Sequence, residues 1–278
     1  MADDVEQSVA QHYTHGSLER AILDALTQSR KDPDRLTPQD LTPVDEFHIG
    51  GRQATAEFAV QLGFAPGAHL LDIGSGLGGA SRYFAHEHAS RVSGIDLTDE
   101  YVRVAASLAR RVGLADRVDY RQGSATALPF PDGAFDGAYM LHVGMNIEDK
   151  PRAFGEVRRV LKRGAAFGIY DVMREADGAL GFPVPWASGA ATSFVETAAT
   201  YRRLLESAGF DVLKERSRRS FAVESFRQIR ARAAASGGPP PLGLHILMGP
   251  SARQKTANMI DNLERGIISP TEMIARAV

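Results

Sequence analysis

The stretch His69-Leu70-Leu71-Asp72-Ile73-Gly74-Ser75-Gly76-Leu77-Gly78-Gly79 reads as a short apolar strand with an acid near its end, then a glycine-rich turn, then a helix from about Ala80. Glycine lets the backbone turn tightly and lets a ligand come close with no Cβ in the way. The start of the following helix offers free N–H groups and a positive dipole end. A turn of this kind suits a nucleotide-like cofactor.

Outward from this stretch, strand and helix patterns alternate. Strands are expected at 69–73, 91–96, 118–122, 135–141, 165–171 and 210–215, and helices at 80–88, 98–112, 149–162 and 197–208. Such alternation predicts an α/β fold, a Rossmann-like doubly wound sheet. A last run at 272–278 would add an edge strand and bring the count to seven. Residues 1–62 are expected to form an N-terminal helical cover: helices over 1–30, with Ser17 as cap of the second, a proline-bearing loop over 31–43, and a helix from about Gln53 to Leu62. Residues 63–278 would be the main domain. Within it, the irregular Gly- and Pro-rich run at 174–196, with the chain's only tryptophan, Trp186, is expected to be a lid. A helical insertion is expected at 221–268, broken by Ser-Gly-Gly-Pro-Pro-Pro at 236–241.

Composition narrows the function classes. With 32 basic and 34 acidic side chains the net charge is −2, which gives no pull toward nucleic acid or an anionic membrane. The basic set on 216–232, with no overall positive charge behind it, reads as a solvated face. No cysteine is present, so there is no disulfide, thiolate metal site or cysteine nucleophile. The start, with Asp3, Asp4 and Glu6, is unlike a secretory leader, and no apolar run reaches the roughly 18 residues of a membrane span. A cytoplasmic protein is expected. His86-Glu87-His88 has metal-like spacing, but residues two apart diverge on a helix. His12, His15, His48 and His142 would hold a metal only if the fold brought them together, and none is expected.

Gly74, Gly76 and Gly79 match Gly-x-Gly-x-x-Gly, a pattern shared with dinucleotide sites and weak alone. Asp72 favours S-adenosylmethionine, because its carboxylate can meet an amino-acid ammonium and would repel a pyrophosphate. Asp96, ending the next strand, can accept ribose hydroxyls of either cofactor. Three further stretches then carry a resemblance: Gly94-Ile95-Asp96-Leu97, Ala127-Leu128-Pro129-Phe130-Pro131-Asp132-Gly133-Ala134-Phe135-Asp136, and Glu156-Val157-Arg158-Arg159-Val160-Leu161-Lys162-Arg163-Gly164. With the glycine turn, they resemble the class I S-adenosylmethionine-dependent methyltransferases of the small-molecule type. The C-terminal layout and the turn His48-Ile49-Gly50 are similar to sarcosine and dimethylglycine N-methyltransferases. Quinone C-methyltransferases share the core motifs equally well.

The resemblance implies that Gly74, Ser75, Gly76 and Gly78 pass under the methionine part of the cofactor. It puts Asp96 and Leu97 at the ribose, Ser124 and Ala125 beside the adenine, Leu141 along the site, and Tyr13 at the methionine end. Many relatives carry an acid where this chain has Ser124. His142, closing the fourth strand, or His48, in the entrance turn, could take a proton from an acceptor near neutral pH. Either could instead brace a loop. Arg52, Asp171 and Trp186 are candidate substrate contacts; their plain alternatives are a solvated arginine, a turn cap and a core anchor. The reading is methyl transfer to a small molecule, at nitrogen or oxygen, with carbon or sulfur as the alternative. A nicotinamide-dependent oxidoreductase and a non-catalytic cofactor-binding protein are the remote alternatives. A homodimer is left open as the assembly.

Overall fold

Seven strands form one sheet: β1 (His69–Ile73), β2 (Arg91–Asp96), β3 (Val118–Gln122), β4 (Phe135–Leu141), β5 (Leu161–Arg174), β6 (Phe210–Ser217) and β7 (Ile268–Ala277). The computed structural model describes residues 2–235 and 238–278. The strand order is β3-β2-β1-β4-β5-β7-β6, parallel except for β7, which runs against both neighbours. Four helices precede the sheet: α1 (Ala2–Tyr13), α2 (Leu18–Gln28), α3 (Pro38–Asp45) and α4 (Gly51–Leu62). Four lie between successive strands: α5 (Gly79–Glu87), α6 (Asp99–Arg111), α7 (Lys150–Val160) and α8 (Ala198–Ser207). Between β6 and β7 come α9 (Arg219–Ala235), α10 (His245–Met248) and α11 (Ala252–Glu264).

The central strands are largely apolar because helices cover both faces of the sheet. Along β4, Ala138 and Met140 join Phe154, Val157, Tyr201 and Leu205 of α7 and α8 on one face. Tyr139 between them turns to the other face, against Phe84 of α5, Phe58 and Leu62 of α4, and Leu70 of β1. Chain order reverses between β1 and β4. That reversal opens a crevice at the carboxyl ends of the two strands, where such sheets bind ligands.

The structure departs from the sequence expectation in four places. The final strand is not an edge: β7 is inserted between β5 and β6, and β6 is the edge strand. Residues 31–43, expected as a loop, include most of α3. Pro38 sits in its first turn, where a missing N–H costs nothing, Thr37 and Asp40 form a capping box, and Leu41 and Val44 are fully buried. Ser17 stands before α2 without capping it. Glu100 of α6 does that work, accepting from the N–H groups of His15, Gly16 and Leu18. The helix expected over 149–162 ends at Val160, and the strand expected from 165 already begins at Leu161. The break at 236–241 lies partly outside the described residues.

The cover and the lid each have an apolar core of their own. Leu18, Ile22 and Leu26 of α2 meet Tyr101, Val104 and Leu108 of α6, with Leu41 of α3 and Leu247 of α10. In the lid, Trp186 is buried among Val172, Ala222, Met259 and Leu263. Those residues come from β5, α9 and α11, so the lid is fastened to the insertion before β7. No described helix is long and apolar enough to cross a membrane.

Candidate active site

The crevice at the ends of β1 and β4 opens into a cavity of about 580 Å³. Its floor is the glycine turn. Gly74 has φ +69° and Gly76 φ +54°, a region that favours glycine. A Cβ on Gly74 would run into the side chain of Val143, just past β4. The N–H groups of Gly74 and Ser75 donate to Ile95 O at 2.8 and 3.0 Å, tying the turn to the end of β2. Asp96 Oδ2 accepts from Gly76 N at 2.8 Å and Oδ1 from Thr98 N at 2.9 Å. Each oxygen therefore keeps capacity for one more donor. Gly74, Ser75, Gly76, Asp96, Leu97 and Leu141 line the cavity.

Gly78 is not among the lining residues. Its φ of +77° sets the entry to α5, and its Cα faces the Tyr120 hydroxyl. Asp72 does line the cavity, 2 % exposed, with Oδ2 accepting from the Ser81 hydroxyl at 2.6 Å. Burial pushes its carboxyl up to about 7. Ser124 and Ala125 line the far side. Tyr13 reaches in from α1, its hydroxyl donating to Asn146 Oδ1 at 2.9 Å. Asn146 in turn donates to the carbonyls of Trp186 and Thr192, so one amide ties the cover, the loop after β4 and the lid together.

Both candidate histidines meet in this cavity. His142 adopts φ +55°, a left-handed conformation costing about 1 kcal/mol outside glycine, and its N–H donates to Tyr170 O at 2.7 Å. Both of its ring nitrogens are buried and lack a protein partner among the described residues. Burial, together with His48 nearby, holds its pKa well below the usual histidine value. The His48 ring stacks alongside, and Tyr170 presents its edge to both. His48 Nε2 lies 3.1 Å from Glu46 Oε2 and 3.0 Å from Thr55 Oγ1. The Thr55 hydroxyl donates to Glu46 through a short bond, so Nε2 of His48 is the donor in this triad. Burial alone would raise the Glu46 carboxyl, but the bonds from His48 and Thr55 outweigh it and hold it down.

The three candidate substrate contacts separate. Trp186 lines the cavity and anchors its indole N–H on Ser193 Oγ at 3.0 Å. Arg52 reaches the rim, but its guanidinium pairs with Glu87 at 2.7 Å and stacks on Tyr83, which leaves it poorly placed for a substrate carboxylate. Asp171 does not line the cavity. It is fully buried, with Oδ2 accepting from the Tyr201 hydroxyl at 2.5 Å and Oδ1 from Val172 N. Burial pushes it up to about 6. The sequence reading passed over Glu46, Thr55, Asn146 and Glu6. Glu46 stands two residues before His48, and that spacing was the one available signal. Among the described residues, no three His, Asp or Glu side chains group as metal ligands.

Residues 71–169 match the family model of a methyltransferase domain. A sterol 24-C-methyltransferase of Gibberella zeae is 34% identical over 113 residues, 41% of this chain and 30% of that protein. The erythromycin 3''-O-methyltransferase of Saccharopolyspora erythraea is 32% identical over 191 residues, 63% of this chain and 62% of that protein. The chain thus spans less than two thirds of the length of these curated relatives. Among solved structures, the (4+2)-cyclase SpnF superposes with a TM-score of 0.71 at 25% identity, covering 98% of this chain and 96% of that one. The strand order and such superpositions give the chain the class I, Rossmann-like methyltransferase fold.

Proposed function

We propose that this protein is an S-adenosylmethionine-dependent methyltransferase acting on a small-molecule acceptor, at a nitrogen or oxygen. The observation that carries the reading is the meeting of the glycine turn and Asp96 with a partner-free His142 in one cavity. The residues fit the cofactor. A side chain on Gly74 would run into Val143 and one on Gly76 would stand in open space, and Asp96 keeps acceptor capacity for ribose hydroxyls. The carboxylates of Asp72 and Asp96 at the turn suit an ammonium and a sulfonium, and oppose the pyrophosphate of a dinucleotide. Arg82, the buried arginine beside the turn, spends donors on Leu77 O and Asp45.

When bound, the cofactor supplies a methyl group on a positively charged sulfur. The chain then has to hold the acceptor in line and take its proton. His142, kept neutral by burial, is the group with free nitrogen lone-pair capacity in the cavity. As the acceptor loses its proton, the stacked His48 bears on the resulting charge. Glu46, behind His48, sets a negative charge facing the paired rings. Beyond the histidines the walls carry Met145, Val172, Trp186, Phe226 and Met259, with Ser225, Gln228, Arg232 and Thr256 as polar lining beside them. An acceptor with an apolar body and one hydroxyl or amine meets those walls best. A cytoplasmic location and a homodimer accompany this reading as parts of the proposal.

Titration calorimetry with S-adenosylhomocysteine, followed by methyl transfer from labelled S-adenosylmethionine to a panel of apolar alcohols and amines, tests it. Binding with transfer to one acceptor class supports the reading. No binding of S-adenosylhomocysteine, or tighter binding of NAD, overturns it.

A further inference from the structure

A carboxylate from the first helix reaches the cavity beside the loop after β3. Glu6 of α1 accepts, through Oε1, the hydroxyls of Ser124 at 2.5 Å and Thr126 at 3.2 Å, both in the loop after β3. The Ser124 and Thr126 hydroxyls also lie 2.7 Å apart, and Thr126 N donates back to Ser124 Oγ at 3.0 Å. The three side chains therefore form one network across 118 residues of sequence. Glu6, Ser124, Ala125 and Thr126 all line the cavity, together with Leu97, which follows Asp96. Among the described residues no protein donor reaches Oε2 of Glu6.

With Asp96 holding the ribose, as the cofactor reading has it, Leu97, Ser124, Ala125 and Thr126 would line the part of the cavity left for the attached base. What meets its edge there is hydroxyls already committed to Glu6, and the carboxylate itself. We infer that Glu6 reads the base: its open oxygen accepts a hydrogen bond from the 6-amino group that adenine presents and a 6-oxo purine lacks. The assignment rests on the cofactor reading above. It makes the N-terminal cover part of the cofactor site, because the residue that selects the base belongs to a helix outside the sheet. Tyr13, at the other end of the same helix, meets the loop after β4 through Asn146. Helix α1 thus spans the cavity from the loop after β3 to the loop after β4.

The test compares S-adenosylhomocysteine with S-inosylhomocysteine, which carries an oxygen in place of the amino group, by calorimetry on the full chain and on Glu6→Gln. The glutamine keeps an oxygen for Ser124 and Thr126 but puts an amide donor where the open carboxylate oxygen stood. The wild-type protein is expected to prefer the adenosyl ligand by roughly 10- to 100-fold. Glu6→Gln is expected to bring that ratio to within about threefold of unity or to reverse it. The ratio is read within one protein, so a lower folded fraction cancels from it. An unchanged ratio in the variant overturns the assignment, as does a wild-type protein that binds both ligands equally, and in either case the cofactor reading survives. A wild-type protein that binds neither ligand overturns both.

Discussion

The imidazole rings of His48 and His142 lie face to face, their centroids 5.8 Å apart and their planes within 11° of parallel. Two side chains 94 positions apart in the chain are thereby placed as one unit, with a carboxylate behind one ring and an open cavity in front of the other. If His142 takes the acceptor's proton, His142→Ala should lower kcat about 10²- to 10⁴-fold. The affinity for S-adenosylhomocysteine should change by less than about threefold, since the glycine turn and Asp96 are untouched. Single-turnover methyl transfer and calorimetry read the two effects separately. Equal loss in both would make His142 a binding or folding residue.

The pH profile should carry the same signature. Burial and the neighbouring His48 hold His142 well below 6.5, so it stays in its basic form at neutral pH and above. The rate is expected to be level from about pH 7 to 9 and to fall only on the acid side. A rise centred near or above 7 in kcat, for an acceptor that does not itself titrate there, would contradict this role.

Asp72 sets stability against binding. Its folded carboxyl is raised to about 7 from an ordinary 3.8, because it is buried. Between those values the folded state holds a proton that the unfolded state has lost, so stability falls as pH rises through this window. Asp72→Asn removes the penalty while its amide oxygen still accepts from Ser81. The ligand-free variant should melt roughly 2–4 °C higher at pH 8 for each 1 kcal/mol recovered, with the gain shrinking at pH 4. Its affinity for S-adenosylmethionine should fall. Differential scanning fluorimetry at the two pH values checks the first part, and calorimetry the second.

Tyr201→Phe separates a structural Asp171 from one that meets substrate. The phenol holds Asp171 Oδ2 at 2.5 Å in a site closed to the cavity. Losing it leaves a buried carboxylate oxygen without that donor, at a cost of about 1–3 kcal/mol in urea unfolding. The KM for the acceptor should not move. A raised KM with unchanged stability would restore Asp171 to the substrate site.

Gly74→Ala probes the floor of the cavity. The new methyl meets Val143, and the backbone at φ +69° resists a side chain. The expected cost is about 1–3 kcal/mol of stability, from overpacking and backbone strain together. Binding of S-adenosylhomocysteine should weaken at least about tenfold at a temperature where the variant remains folded.

The glycine turn was legible in the sequence because one local pattern, strand then glycines then helix, carries its whole geometry. The same holds for Asp96, which a strand end places beside the turn. Gly78 and Asp171 show where such reading stops: spacing names residues near a site, but which way a residue faces depends on what packs against it. For Asp171 that is Tyr201, and for Gly78 it is Tyr120. Glu46 was hidden because a two-residue spacing does not say that the turn folds back to bring Glu46, His48 and Thr55 of the next helix together. Residues 31–43 misled through their prolines, of which Pro38 begins a helix. The last strand was legible as a strand, but a run of extended residues does not say which neighbours it will have.

Those neighbours have a consequence for the order of folding. Within the sheet β6 pairs with β7 alone, and β7 lies beyond residues 218–267, which include α9, α10 and α11. On a growing chain β6 must therefore wait, unpaired, until that whole interval has been made, and closing so long a loop is entropically slow. The lid's core residues on α9 and α11 are drawn in by the same closure. The half of the molecule carrying the glycine turn can assemble early from neighbouring β-α units, while the apolar wall facing the acceptor forms last. In pulse-labelled hydrogen exchange, the amides of β6 should become protected together with those of β7, after those of β1 and β4.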